Sequence, residues 1–415
     1  MENTLIYRIT FSHLTVHCMC VSIFRVSRTY TRHQSNKPDT QGLSFLVKMR
    51  VLFLEHQPCI RALKYAQGFK NQFGNEIEVF FAYLGRTLTE FYGYGDELFK
   101  EFIKLDRKDT GRDIKDTVRD YDIDLIHSHN APDFLTESAI KSAGSIPIIH
   151  DNHDVLSLRK TRYGIASVDP EDLKTLETER FVNEQSDGRI YVSEGLSRYV
   201  QKKYKVDPSR DLVFPNYLSR LYIPSRLRTK LSEKDGQIHI VYEGTVHSRV
   251  SGSHYDLGGI FEDIAKHRMH IHIYVSRHNE DYKRFSEKNE FIHYHGHLTP
   301  KILLQEITKY DFGWAGFNAT KNKKHLDVTL PNKLFEYIAC GLPVLSFPHR
   351  TQKRIIEEHG FGFVFHDIGE LVELLNTDLV CETKETVLKK RHDFTIEKNV
   401  GSVKDFYEKL CAQIN

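Results

Sequence analysis

The chain has 415 residues, of which 40% are hydrophobic, 12% aromatic and 27% charged, and its net charge is +2. The composition excludes global disorder, and the length suits two domains of ~150–200 residues. The charge balance excludes indiscriminate nucleic-acid binding, and no apolar run in the sequence reaches the ~18–20 residues of a membrane-spanning helix.

Residues 1–48 carry six basic residues against Glu2 and Asp39 and show no period. They are expected to form a poorly ordered extension rather than a transit peptide or membrane-touching tail. The six cysteines, Cys18, Cys20, Cys59, Cys340, Cys381 and Cys411, contain no C-x-x-C pair. That fits unpaired thiols in a reducing, cytoplasmic setting.

From Met49 onward, short apolar runs alternate with helical patterns. Strands are expected at Val51–Leu54, Ile77–Ala82, Asp124–His127, Pro147–His150, Gly188–Val192 and Leu212–Phe214, with helices at Ile60–Gln72 and Asp133–Ser142. The polar stretch Lys230–Gly236 reads as a linker, after which the rhythm restarts. Strands follow at Ile238–Tyr242, His270–Val275, Phe291–His295, Phe312–Trp314 and Pro343–Phe347, and helices at Leu257–His267 and Leu330–Cys340. Thr299 and Pro300 form a helix-start signal, and Gly341 a stop. This alternation predicts an α/β protein of two doubly wound, Rossmann-like domains facing a cleft, at 49–229 and 230–395. A final helix over 396–415 is expected to pack back on the first domain.

Ligands of doubly wound sheets sit outside the carboxyl ends of the strands. That rule selects Ser128-His129-Asn130, Asp151 to Asp154, Ser193-Glu194, Gly244-Thr245 and the segment before Leu334.

The last of these carries a long string, Thr329-Leu330-Pro331-Asn332-Lys333-Leu334-Phe335-Glu336-Tyr337-Ile338-Ala339-Cys340-Gly341-Leu342-Pro343-Val344. It resembles the donor-site motif of family 4 glycosyltransferases, retaining enzymes of the two-domain GT-B fold. The strand ending in His127-Ser128-His129, the turn Asp151-Asn152-His153-Asp154, Glu179-Arg180, the strand Ser186 to Glu194 and Phe214-Pro215-Asn216 resemble further family segments in family order.

The resemblance implies a donor-binding set of Gly244, Thr245, Arg249, Asn332, Lys333 and Glu336 in the second domain. Glu336 would accept hydrogen bonds from ribose hydroxyls and Lys333 would neutralise the diphosphate. A helix N-terminus adds free N–H groups and partial positive charge for an anion. On the acceptor side it implies His129, His153 and Asp154, with Glu336 and His153 in the catalytic roles. His129 and His150 read equally well as satisfied histidines beneath the loop. Many family members carry a second carboxylate eight positions before the Glu, where this chain has Val328, with Asp327 beside it.

Among the 23 histidines, His293, His295 and His297 alternate, as do His270 and His272. Three imidazoles on one strand face could bind zinc. The family's fold needs no protein-bound metal or other cofactor, so half-buried strand histidines are expected instead. Between Leu196 and Lys234 ten basic residues face three acids. This stretch reads as a solvated face or as a contact with anionic lipid head groups at the inner face of a membrane.

The implied function is hexosyl transfer, with retention, from a nucleotide sugar to a glycan or lipid-linked acceptor, as in polysaccharide biosynthesis. A sugar-nucleotide 2-epimerase and a non-catalytic binding subunit are the alternatives.

Overall fold

A computed structural model describes residues 48–130, 132–158 and 170–414. The expected N-terminal extension lies, but for Lys48, outside the described residues. Seven strands form the first sheet: β1 (Met49–Glu55), β2 (Ile77–Tyr83), β3 (Phe102–Lys104), β4 (Leu125–His129), β5 (Ile148–Asn152), β6 (Gly188–Tyr191) and β7 (Asp211–Val213). The second sheet holds β8 (His239–Gly244), β9 (His270–Val275), β10 (Ile292–Gly296), β11 (Phe312–Trp314), β12 (Val344–Ser346) and β13 (Gly362–Val364).

Every pairing is parallel, in the orders β3-β2-β1-β4-β5-β6-β7 and β10-β9-β8-β11-β12-β13. The chain reverses its winding between β1 and β4 in one sheet and between β8 and β11 in the other. Both crevices open at the carboxyl ends of the strands, where such folds take ligands. Buried Val51, Phe53, Leu52 and Leu54 on β1 explain its unbroken apolar run, because a parallel sheet is covered on both faces.

The edge strands β3 and β13 were not evident from sequence, with three residues each, whereas the equally short edge strand β7 was expected at Leu212–Phe214. Thr299 caps the helix Pro300–Ile307 by backbone geometry, with Pro300 in its first turn, but its side chain makes no capping hydrogen bond.

The expected linker is a different structure. Ser232–Asp235 is a short helix, and Lys230 donates to the carbonyls of Thr308 and Tyr310 at 2.9 and 2.6 Å. Leu218 belongs to the second domain's core, with Tyr217, Tyr222 and Ile223 packed against it. The core beneath the second sheet therefore already takes in Leu218, before position 230. Polarity marked a surface segment. The chain returns near Thr395, which bridges Leu218. Ile396, Val400, Val403, Phe406, Tyr407 and Leu410 then bury themselves with Phe53 and Phe69 of the first domain.

Candidate active site

Between the two sheets lies a cavity of about 1300 Å³ lined from both sides. On the first domain His153, Asp154, Lys64 and Asn216 reach it. On the second, Gly244, Thr245, Asn332, Lys333, Glu336 and Glu243 do so.

The motif helix Asn332–Ala339 begins at the cavity, with Pro331 as its N-cap residue. Its apolar residues Leu334, Phe335, Tyr337 and Ile338 are buried, and that packing turns Asn332, Lys333 and Glu336 toward the opening. Lys333 is 7% exposed, and its ammonium has no hydrogen-bond partner among the described residues. It rests 4.0 Å from the centre of the Tyr242 ring and 5.1 Å from that of Phe317. Burial lowers its pKa to about 8, against the pull of Glu243 and Glu336. Gly244 has φ +130°, and a Cβ there would lie 3.2 Å from the Lys333 ammonium. Glycine thus keeps the space before the cation open, in a conformation other residues rarely adopt.

Glu336 lies 3.6 Å from the ammonium of Lys64, which also donates to Asn332 at 2.8 Å. Glu243 is buried beside it; burial, then the neighbouring Glu336, hold its carboxyl well above the usual carboxylate range. Two carboxyls and two lysines from both domains therefore share one end of the cavity. Thr245 is 3.2 Å from the Ser276 hydroxyl at the rim.

Across the cavity, His153 Nε2 lies 3.1 Å from His129 Nδ1 and 3.8 Å from Asp151. Asn130 accepts from the His153 backbone N–H at 2.9 Å and donates to the Asp154 carbonyl, fixing the turn. Asp154 pairs across the cleft with His325 at 3.3 Å. Burial brings the His153 pKa down to about 4, so a neutral imidazole faces the cavity at neutral pH.

Four placements differ from the sequence reading. His129 is fully buried, stacked on His127 with centroids 4.6 Å apart, and does not line the cavity. It supports His153 from beneath, and His150 is likewise buried against Thr136. Arg249 is absent from the cavity wall; it pairs with Asp281 and Glu262 and lies over Phe285. Asp327 also points elsewhere, to Lys323 at 2.8 Å and the Arg350 backbone. The position of Val328 is at the domain junction, where its carbonyl accepts from Ser193. His297, expected to alternate with His293 and His295, lines the cavity instead, because β10 shifts register between Tyr294 and Gly296.

Arg61 and Lys64 were missed. Both are buried cations on the first helix, Ile60–Phe73, three residues apart and hence on one face. Arg61 forks onto Asp151 at 2.9 and 3.2 Å and also holds Asn216 and the Phe214 carbonyl at 2.9 Å. Burial favours a neutral Asp151, but Arg61, His153 and His127 together outweigh it and keep the carboxyl well below its usual range. Asn216 in turn donates to Leu330 just before the motif helix. The sequence signal was two charges, Arg61 and Lys64, set among Ile60, Ala62, Leu63, Tyr65 and Ala66.

Two groups near this site could offer three ligands to a metal, Cys59/His129/His153 and His127/His129/Asp151. In the second, Arg61 and Tyr407 already occupy the polar atoms of Asp151 and His127.

Residues 72–219 match the family described as Glycosyltransferase Family 4, and residues 257–392 match Glucosyltransferase 3-like, C-terminal domain. No curated protein matches by sequence. Among solved structures the chain is similar to a glycosyltransferase from Rickettsia africae at 14% identity, covering 88% of this chain and 98% of that one, with a TM-score of 0.61. It is similar to sucrose-phosphate synthase from Thermosynechococcus elongatus at 11% identity, 88% and 100% coverage and a TM-score of 0.63. HepE of Anabaena, in complex with UDP and glucose, aligns at 12% identity, 86% and 99% coverage and a TM-score of 0.61.

Proposed function

We propose that this chain of GT-B fold, a glycosyltransferase whose two halves match family 4 and glucosyltransferase 3-like models, moves a sugar, with retention, from a nucleotide sugar to a glycan or lipid-linked acceptor. The observation that carries the donor half of this reading is Lys333. A buried ammonium without a hydrogen-bond partner, opposite a glycine that leaves its approach open, is stabilised by an anion entering the cavity. A diphosphate supplies that anion. Glu336, one turn further along the motif helix, accepts the ribose hydroxyls, and Thr245 and Asn332 border the same end. HepE's complex with UDP and glucose supports a donor of this class.

His153 faces the acceptor. Being neutral, its ring can accept or donate one hydrogen bond to a sugar hydroxyl or a phosphate. Its fixed neighbours Asn130 and His129 set its orientation. Retention is assigned to the family's chemistry, in which the donor phosphate itself takes the acceptor proton. Val328 leaves the second carboxylate position empty of charge, and Glu243, which lines the cavity and interacts with Glu336, could contact the donor sugar.

Lys202, Lys203 and Lys205 are exposed on the basic segment, at ~1 kcal/mol each near an anionic surface. They suit peripheral contact with the membrane that would hold a lipid-linked acceptor. Arg228 and Lys230 of the same segment are spent on Glu306 and the Thr308–Tyr310 turn.

The test is a panel of nucleotide sugars in a thermal-shift assay, since a ligand at about 100 times its Kd stabilises by ~2.7 kcal/mol. A stabilising donor is then supplied with acceptors, and the product's anomeric configuration is read by NMR. Conversion of the donor without acceptor would establish the epimerase reading instead, and binding without turnover the binding-subunit reading.

A further inference from the structure

Five histidines occupy one face at the edge of the second sheet. The register of β8, β9 and β10 sets His239 beside His270 and His272 beside His293. Strand alternation puts His270 with His272, and His293 with His295, on the same side. Their rings form two hydrogen-bonded chains. In one, Asp235 Oδ2 meets His239 Nε2 at 3.0 Å, His239 Nδ1 meets His272 Nε2 at 2.9 Å, and His272 Nδ1 meets His295 Nε2 at 3.0 Å. In the other, Gln237 Oε1 meets His270 Nε2 at 2.9 Å and His270 Nδ1 meets His293 Nε2 at 2.9 Å. Every link runs in the same sense. Both chains end at an oxygen, and the two ends lie side by side because His239 and His270 are paired neighbours with rings stacked at 4.6 Å.

We propose that Asp235, His239 and His270, with the Gln237 carbonyl as a fourth donor, form a structural site for a divalent ion of the zinc class. One ligand atom from each of Asp235, His239 and His270 lies within 4.8 Å of the others. Zinc at ~2.0–2.1 Å from each donor requires only a modest closing of that triangle. Two imidazoles, a carboxylate and an amide oxygen suit a borderline ion better than magnesium or calcium.

A metal-bound histidine needs an acceptor for its other ring N–H, and this fold has already built one for each ligand. With the ion absent, each ring carries its proton on Nε2. With the ion bound, His239 and His270 give up that proton and take one on Nδ1 from the next ring. His272 repeats the step, and the last ring, His295 or His293, gains its Nδ1 proton from water. One proton leaves at the metal end of each chain and one enters at the far end, so the number of protons on each chain is unchanged.

The site lies at the amino ends of β8 and β9, whereas Gly244, Val275 and the cavity lie at their carboxyl ends. It therefore has no part in donor chemistry. Its ligands come from the short helix Ser232–Asp235 and two strands, so the ion would clamp the helix that leads into β8 onto its own sheet.

The test is calorimetric titration of the full, chelator-stripped chain with zinc chloride. One ion per chain is expected to bind with a Kd in the micromolar range or tighter, with heat independent of the buffer's ionisation enthalpy. Zinc should raise Tm, and nitrogen-15 NMR should show His239 and His270 moving from Nε2–H to Nδ1–H. Asp235 is exposed, so Asp235→Asn should fold as the parent does and bind zinc at least tenfold more weakly. His270→Gln should behave likewise, while Cys59→Ser leaves this binding unchanged. Absence of zinc binding at 100 μM, parental affinity in both Asp235→Asn and His270→Gln, or loss of binding in Cys59→Ser would each overturn the proposal.

Discussion

Lys333 and Glu336 sit three residues apart on one helix, yet their environments set them opposite tasks. The lysine is buried over two aromatic rings, and its charge is costly until an anion arrives. Lys333→Met should therefore leave the ligand-free protein as stable as the parent or a few degrees more so, because replacing a buried charge with a well-packed apolar group is often neutral or stabilising. The same variant should lose at least tenfold in donor affinity, measured by titration. Glu336 is half-buried and faces the cavity. Glu336→Gln preserves shape but turns charge-assisted hydrogen bonds into ordinary ones, so donor binding should weaken by ~1.5–3 kcal/mol, roughly tenfold to a hundredfold, with Tm little changed. His153→Ala should keep donor binding and lose transfer, a separation visible by comparing thermal shift with product formation.

At the scale of elements, the first helix is the joint between the domains. Arg61 ties it to Asp151 and Asn216, and Lys64 ties it to the motif helix of the second domain. Arg61→Met leaves a buried Asp151 with its main counter-charge gone, which should cost ~3–5 kcal/mol by denaturant titration. Lys64→Met should instead spare stability and raise the donor KM, since Lys64 acts on Asn332 and Glu336 at the cavity. The contrast separates a residue that holds the scaffold from one that aims the donor end.

Across the whole molecule, burial keeps several imidazoles neutral. The pKa of His150 falls to about 3, and those of His153, His295 and His349 to about 4. Between those values and ~6.5 the unfolded chain binds more protons than the folded one, so stability is full above about pH 6.5 and falls as pH drops toward 4. Melting curves from pH 7.5 to 4.5 should show Tm declining steadily, without a matching loss between pH 7.5 and 8.5 from these groups. Glycosyl transfer should persist in chelator at 25 °C, because the zinc-class site lies at the opposite end of the strands from the cavity. Chelation should lower Tm instead.

The order of strands and helices was legible in the sequence, because buried parallel strands leave continuous apolar runs such as Val51–Leu54 and Val79–Ala82, and a long motif fixed the donor helix. Local periodicity carries that information within a few residues. Which side chains meet was decided by tertiary structure. Arg61 and Asp151 are 90 positions apart, and Lys64 and Asn332 are 268 apart, so no local pattern could pair them. The same holds for Arg249, which follows the right strand but finds Asp281 and Glu262 before it can reach the cavity. The histidines show the division most plainly. Their alternation put them on one face, but strand register and a shift at Gly296 decided that His293 and His295 join the array while His297 turns to the cavity.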